Sequence, residues 1–221
     1  MAYTGAVKPG GPADVRELGR LTIRKLAVSE MHNNVYLLTS HATGEQLLID
    51  AADEPDRIMA LVVESGGGGL GTVVTTHQHW DHVRALPDVV ARTGARTVAG
   101  REDAEALPVP VDVPVGQGDR ISFGDVDLDV IHLRGHTPGS IALAYRDEDG
   151  RVHLFTGDSL FPGGVGATSR PGQSFASLID DVTTRVFDVY GDDTWFYPGH
   201  GDDSTLGAER PHLQEWRDRG W

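Results

Sequence analysis

The segment Thr75-Thr76-His77-Gln78-His79-Trp80-Asp81-His82 contains four potential metal ligands within six residues. Residues 70–75 form a short β-branched run that predicts a buried strand, and residues 83–91 have the apolar spacing of a helix. Two imidazoles separated by one residue can converge on one cation, whereas an adjacent carboxylate and imidazole can turn toward a second. The segment therefore predicts a metal-binding loop after a strand, in preference to a solvated, polar helix start.

The composition limits what such a loop can serve. The chain has 221 residues, of which 39% are hydrophobic and 24% charged, enough for one domain with a substantial core. Its 33 acidic and 19 basic residues give a net charge of −14, which disfavours nucleic acid and anionic membranes as partners. No membrane span or secretory signal is recognisable, so we expect a cytoplasmic protein that acts on a small molecule. Because the chain has no cysteine, any metal must be held by nitrogen and oxygen.

The order of predicted elements indicates an α/β layered fold. Strand and helix patterns alternate, and the candidate loop lies at the carboxyl end of its strand. Two sheet-and-helix halves packed face to face are expected in a single domain over 15–221, preceded by a disordered tail over 1–14. The expected strands are 20–28, 34–40, 46–49, 70–75, 96–99, 119–123, 126–133, 141–145, 152–156 and 194–197, and the expected helices are 53–65, 83–92, 101–106, 175–190 and a surface helix over 209–221.

Three further candidate ligands each follow a predicted strand. They are His136 in G-H-T-P-G-S, Asp158 in T-G-D and His200 in P-G-H-G. Glycine beside each one lets the backbone turn sharply, and although a lone His or Asp in a turn is usually structural, the loop and these three make seven candidates. Asp50 ends the strand over 46–49 and is interpreted as a helix cap, in preference to a partner of a metal-bound histidine.

These motifs, in this order and spacing, resemble those of the metallo-β-lactamase superfamily over about residues 20–210. The resemblance implies a four-layer αβ/βα sandwich that binds two divalent cations, with zinc favoured and iron or manganese as alternatives. It implies a catalytic role for Asp81 and Asp158 as metal-holding carboxylates. The positions that it assigns to one metal are His77, His79 and His136, those for the other are Asp81, His82 and His200, and Asp158 bridges both.

Within the superfamily, the motif set is most similar to glyoxalase II and its short bacterial relatives. This similarity implies hydrolysis of a thioester or related ester by a hydroxide that bridges two metals. Glyoxalase II carries G-R-T-D where this chain has Gly166-Ala167-Thr168-Ser169. It also has a helical C-terminal domain that helps to hold glutathione, whereas about twenty residues follow His200 here, so glutathione specificity is not carried over.

The loop over 163–174 is expected to shape the substrate pocket. Arg170, just after the altered motif, is a candidate partner for a substrate carboxylate, with a solvated loop residue as the alternative. Phe161 and Phe175 are apolar candidates for the pocket wall, with a place in the core as the alternative.

A different reaction class stays open. Persulfide dioxygenases resemble the same superfamily and use one iron at the positions that match His77, His136 and Asp158, a ligand set that suits oxygen chemistry. A lactonase would differ only in its substrate. The oligomeric state is not indicated, although Leu213, Trp216 and Trp221 predict an association surface.

Overall fold

Two β-sheets pack face to face in the computed structural model, which describes residues 2–220. The first sheet has seven strands, and its spatial order follows the chain: Asp14–Glu17 (β1), Leu21–Val28 (β2), Asn33–Ser40 (β3), Glu45–Ile49 (β4), Gly69–Thr75 (β5), Arg96–Gly100 (β6) and Val113–Val115 (β7). The remaining strands are Arg120–Phe123 (β8), Val126–His132 (β9), Ile141–Arg146 (β10), Val152–Gly157 (β11), Leu160–Phe161 (β12), Gly164–Val165 (β13), Trp195–Pro198 (β14) and Ser204–Thr205 (β15). The second sheet has the order β15-β14-β11-β10-β9-β8, and β12 pairs with β13.

Parallel pairing occurs where each sheet approaches the candidate ligands. In the first sheet, β4 through β7 are parallel to one another, and in the second, β11 is parallel to β14. Parallel neighbours end at the same edge of a sheet, so the loops that follow them lie together.

Both faces of the central strands are buried, which explains their continuous apolar sequences. Tyr36 and Leu38 of β3 point into the core between the sheets, whereas Val35 and Leu37 point to the opposite face. This second face is covered by the helices Pro55–Glu64 (α1) and Leu86–Thr93 (α2). Alternation along one strand therefore supplies two separate cores.

The outer face of the second sheet is covered by the C-terminal helices Phe175–Val182 (α3), Leu206–Glu209 (α4) and Leu213–Arg219 (α5). The layers are therefore helix, sheet, sheet and helix, and the expected αβ/βα sandwich is confirmed. Shorter helical turns are Trp80–His82, Ala104–Ala106, Thr183–Phe187 and Arg210–His212. No helix within residues 2–220 has the length and apolar character needed to cross a bilayer.

The helix predicted over 175–190 is confirmed as far as residue 187, but its second half is not α-helical. Helix α3 ends at Val182, and the π-helical turn over 183–187 follows it. The hydroxyl of Thr183 donates to the Ile179 carbonyl at 2.6 Å, and the hydroxyl of Thr184 donates to the Asp180 carbonyl at 2.8 Å. Side chains that bond to helix carbonyls in this way disturb the regular ladder. Residue 189, expected on the apolar side, is exposed.

The predicted surface helix is confirmed in part, as α5, whereas the buried side chain of Trp216 contradicts its place on an association surface. The side chain of Trp216 is 1% exposed and packs edge-on against Phe187, with ring centroids 6.1 Å apart. Leu213 packs against the same apolar cluster. Trp221 lies outside the described residues. This end of the chain therefore completes the core of the second sheet, and burial of an aromatic side chain there is a large stabilising contribution.

The segment predicted as a disordered tail contacts the domain. The hydroxyl of Tyr3 donates to Asp203 at 2.6 Å, and the Gly5 carbonyl accepts from the amine of Lys25 at 2.6 Å. Strand β1, which the sequence did not predict, begins at Asp14 and pairs with β2.

Candidate metal centre

The candidate ligands meet at one edge of the sandwich because each follows the end of a strand. The loop that begins at Thr76 follows β5, Asp158 follows β11 directly, and His200 lies two residues beyond β14. His136 lies four residues beyond β9. The structure thus brings together all seven side chains that the sequence nominated, from both sheets.

Asp158 lies between two groups of potential ligands and clusters with one histidine from each, His77 and His82. Within each recognised cluster, the ligand atoms lie within 4.8 Å of one another. We call His77, His79 and His136 the first group, and Asp81, His82 and His200 the second group. Oδ2 of Asp158 lies 3.6 Å from Nε2 of His136 and 3.5 Å from Nε2 of His200. Asp158 therefore stands between the groups, where a bridging carboxylate is expected.

The spacing of these atoms fits a metal in the second group. Nε2 of His200 lies 3.4 Å from Oδ2 of Asp81 and 3.2 Å from Nε2 of His82. Ligands about 2.0–2.2 Å from a tetrahedral zinc are roughly 3.3–3.6 Å apart. The side chains are thus already at the separations that a shared cation requires.

Two buried nitrogens provide an independent test of the fit. Nε2 of His77 and Nε2 of His136 have no hydrogen-bond partner among the described residues. A buried polar atom without a partner costs about 1–3 kcal/mol, so such atoms are uncommon unless a ligand satisfies them. Their lone pairs, together with the carboxylate of Asp158, match the nitrogen and oxygen donors that zinc, iron and manganese accept.

Hydrogen bonds on the outer ring nitrogens hold the imidazoles in place. When Nδ1 carries the proton and donates outward, Nε2 keeps a lone pair for a metal. The outward partners are the Ala167 carbonyl for His136 at 2.8 Å, the Met31 carbonyl for His200 at 2.9 Å and the Asp50 carboxylate for His82 at 3.0 Å.

Asp50 is a partner of His82, and its interpretation as a helix cap was wrong. Its carboxylate accepts from the backbone N–H of Thr76 at 2.7 Å and from the Thr76 hydroxyl at 2.8 Å. The cap position of α1 is instead occupied by Glu54. Asp50 thus ties the end of β5 to a ligand of the second group.

Asp103 connects the two loops that carry the first group. Oδ2 accepts from the backbone N–H of Gln78 at 2.9 Å and from the hydroxyl of Thr137 at 2.5 Å, and Oδ1 accepts from the N–H of Gly139 at 2.7 Å. Asp103 is fully buried, and burial raises the pKa of its carboxyl although the hydrogen bonds oppose this rise.

Two side chains of the first sheet hold the loop that carries His200 through its Gly201 carbonyl. The Gly201 carbonyl accepts from the amine of Lys25 at 2.7 Å and from the amide of Asn34 at 2.9 Å. The Lys25 side chain is completely buried and pairs with Asp203 at 2.6 Å. A buried cation therefore fixes the backbone next to a candidate ligand.

Two glycines permit the close approach of the loops. Gly199 has no room for a side chain, since a Cβ there would overlap Oδ1 of Asp158 and lie 2.8 Å from Cε1 of His82. Gly157 has a φ of 48°, and a Cβ there would lie 2.6 Å from the Thr76 hydroxyl oxygen.

The electrostatics of the protein alone divide the histidines into two types. Burial lowers the pKa of His77 well below its ordinary value and lowers that of His79 to about 4, so these rings are neutral at neutral pH. Burial also opposes the charged form of His200, but Asp158 and Asp81 outweigh it and raise the pKa to about 9. For Asp158, burial is outweighed by the charge of His82, and its pKa lies well below the ordinary value.

Sequence reasoning missed three residues of this centre. They are Asp103, Lys25 and Asn33, whose amide donates to Oδ2 of Asp81 at 3.0 Å. Lys25 alone carried a sequence signal, because a lysine inside an apolar strand is rarely buried unless it is paired.

The weaker candidates occupy different places. Arg170 lines a small cavity next to His79 and His136. The Phe161 ring is tilted toward the His200 ring, with centroids 6.4 Å apart. Phe175 packs against the core of the second sheet, as the alternative interpretation held.

Comparison with known proteins agrees with this architecture. The model of the metallo-beta-lactamase superfamily matches residues 28–206. This chain belongs to the metallo-β-lactamase superfamily.

Its relatives include proteins named as hydrolases. A hydroxyacylglutathione hydrolase of Fuscovulum blasticum is 37% identical over 148 residues, which cover 66% of this chain and 56% of that relative. The chain thus spans little more than half the length of this curated relative.

Two solved structures at comparable identity match most of the chain. The crystal structure of ETHE1 from Myxococcus xanthus has a TM-score of 0.78 at 30% identity and covers 89% of this chain and 84% of its own. TTHA1623, solved in a di-iron-bound form, has a TM-score of 0.71 at 32% identity and covers 84% of this chain and 96% of its own.

Proposed function

We propose that this protein is a dinuclear metal-dependent hydrolase that cleaves a thioester or a related ester. The observation that carries the proposal is the position of Asp158 between two ligand groups whose atoms have metal-ligand spacing. Two divalent cations bound there would supply a bridging hydroxide as the nucleophile and Lewis acidity for the carbonyl and the leaving group. A chain without cysteine is consistent with such a nucleophile.

The side chains have separate tasks in this proposal. The first group and the second group would hold one cation each, and the carboxylate of Asp158 would contact both. Asp81 supplies a negative charge to the second site only, and Asn33 orients its Oδ2. Zinc is the favoured metal, and iron and manganese suit the same donors.

The thioester class is supported by the relatives named hydroxyacylglutathione hydrolase. Phe161, beside His200, is proposed to contact the substrate, whereas Phe175 packs against the core of the second sheet. A small-molecule substrate, a cytoplasmic location and the absence of nucleic-acid and membrane partners remain predictions.

A panel of purified substrates tests the reaction class. We expect zinc-loaded protein to cleave at least one acyl thioester faster than the matched oxygen ester or lactone, and chelation to abolish the activity. Efficient cleavage of lactones without thioester cleavage would instead identify a lactonase, and no hydrolysis of any class would refute the proposal.

The alternative is a persulfide dioxygenase with one iron on His77, His136 and Asp158. The structural similarity to ETHE1 supports this alternative. Asp81→Ala separates the two, because Asp81 belongs to the second group alone. Dinuclear hydrolysis should collapse in this variant, whereas oxygen uptake with glutathione persulfide through one iron should persist in part.

A further inference from the structure

A cavity of about 180 Å³ opens beside the first ligand group. His79 and His136 form part of its wall, and Gln78, Arg170 and Gln173 contribute to the rest. Pockets for whole small molecules usually measure about 300–1,000 Å³. This cavity therefore suits one substituent of a substrate whose reacting group lies at the metal centre.

The segment that carries Arg170 is fastened to a ligand loop. The backbone N–H of Arg170 donates to Oε1 of Gln173 at 2.9 Å, and Nε2 of Gln173 donates to the His136 carbonyl at 2.7 Å. Gln173 thus ties the cavity wall to the loop that carries His136. The first of these hydrogen bonds fixes the backbone at residue 170, while the Arg170 side chain is exposed and accessible to a ligand.

Among the residues that line this cavity, Arg170 is the one with a permanently charged side chain. Its guanidinium forms no ion pair with any carboxylate among residues 2–220, in a chain with a net charge of −14. An unpaired guanidinium presents a planar fork that matches a carboxylate in two hydrogen bonds.

We propose that Arg170 and this cavity bind a carboxylate on one arm of the substrate, so that the enzyme prefers thioesters with an anionic substituent. One guanidinium balances one negative charge, which favours a monoanionic carboxylate. The substrate class rests on the proposed hydrolase function, whereas the carboxylate site can be tested without hydrolysis.

Binding of free thiols, which contain no thioester bond, is the test. The probes are 3-mercaptopropionate, 4-mercaptobutyrate and 6-mercaptohexanoate, each paired with its methyl ester. Their thiolates can bind the zinc-loaded centre, and their chain lengths give different distances between the thiolate and the carboxylate. Isothermal titration calorimetry should show at least one acid binding about tenfold more tightly than its ester, as expected for one partly screened charged hydrogen-bonding pair.

Matched variants assign the preference to one residue. Arg170→Gln should abolish the difference between acid and ester, and Arg170→Lys should restore part of it. The control is Arg96→Gln, which removes the same charge from an exposed position at the start of β6, the end of the strand away from the ligands.

The outcomes separate this proposal from the proposed function. If no acid binds more tightly than its ester, if the preference survives Arg170→Gln, or if Arg96→Gln removes it equally, the carboxylate site is refuted even when thioesters are hydrolysed. If the Arg170-dependent preference is present but no thioester is cleaved, the site stands and the hydrolase proposal fails.

Discussion

Asp103→Asn should weaken metal binding at the first group although Asp103 is not itself a candidate ligand. An amide at this position keeps one oxygen, so at least one of the donors from Gln78, Thr137 and Gly139 meets an NH₂ group. A buried donor left without its charged acceptor costs about 1.5–3 kcal/mol. Because both loops of the first group depend on this carboxylate, we expect metal affinity there to fall about 10–100-fold.

Competition with a chromophoric chelator measures the two metal affinities separately, and urea denaturation of the metal-free protein measures stability. The matched control is Asp112→Asn, since Asp112 also accepts from a backbone N–H and a hydroxyl, both of Thr97, near the opposite end of β6. If Asp103→Asn loses stability but binds metal as tightly as Asp112→Asn does, Asp103 has no positioning role.

Three further perturbations probe the same account. Lys25→Met leaves the Asp203 carboxylate buried without its cation. Urea denaturation should therefore show that the free energy of unfolding falls by about 3–5 kcal/mol. A fall below about 1 kcal/mol would contradict the pairing. Gly199→Ala forces a methyl group against Asp158. A chelator titration should show at least about a tenfold loss of metal affinity. Unchanged affinity would disprove the close approach of residue 199 to Asp158. Burial lowers the pKa of His153 to about 4 in the folded protein. As the pH falls from 7 to 5, this histidine is therefore protonated in the unfolded chain but not in the folded protein, and the free energy of unfolding falls by about 2 kcal/mol. His153→Gln should remove that part of the pH dependence of the unfolding free energy, and parallel curves for the two proteins would count against it.

The candidate ligands were predictable because metal chemistry restricts both residue type and spacing. His77 and His79 follow a strand in a pattern that few other functions require, and glycines flank His136 and His200. The layer order was predictable for a related reason, because strands buried on both faces and amphipathic helices alternate along the chain.

The supporting residues were not predictable from local sequence. Asp103 lies in a short polar segment with Glu102 and Glu105, and only the tertiary fold distinguishes the carboxylate that turns inward. The local sequence around Asp50 is compatible with a helix cap and with a partner of His82, and only the position of His82 in the fold distinguishes the two.

The end of the chain shows a similar limit. A short amphipathic segment with Trp216 predicts an apolar face but not its partner, which is here the core beside Phe187. The change from α-helix to π-helical turn at residue 183 was not predictable, because apolar periodicity does not show that the threonines at 183 and 184 bond to the preceding turn.

The number of metal ions per chain tests the central claim most directly. Elemental analysis should be made on protein purified without added metal or chelator, and repeated on Asp81→Ala and on Asp158→Ala. The account predicts close to two metals in the native protein, close to one in Asp81→Ala, and weakened binding at both sites in Asp158→Ala, because Asp158 lies between the groups. A native protein that holds a single metal, with Asp81→Ala unchanged in metal content, would contradict a dinuclear centre.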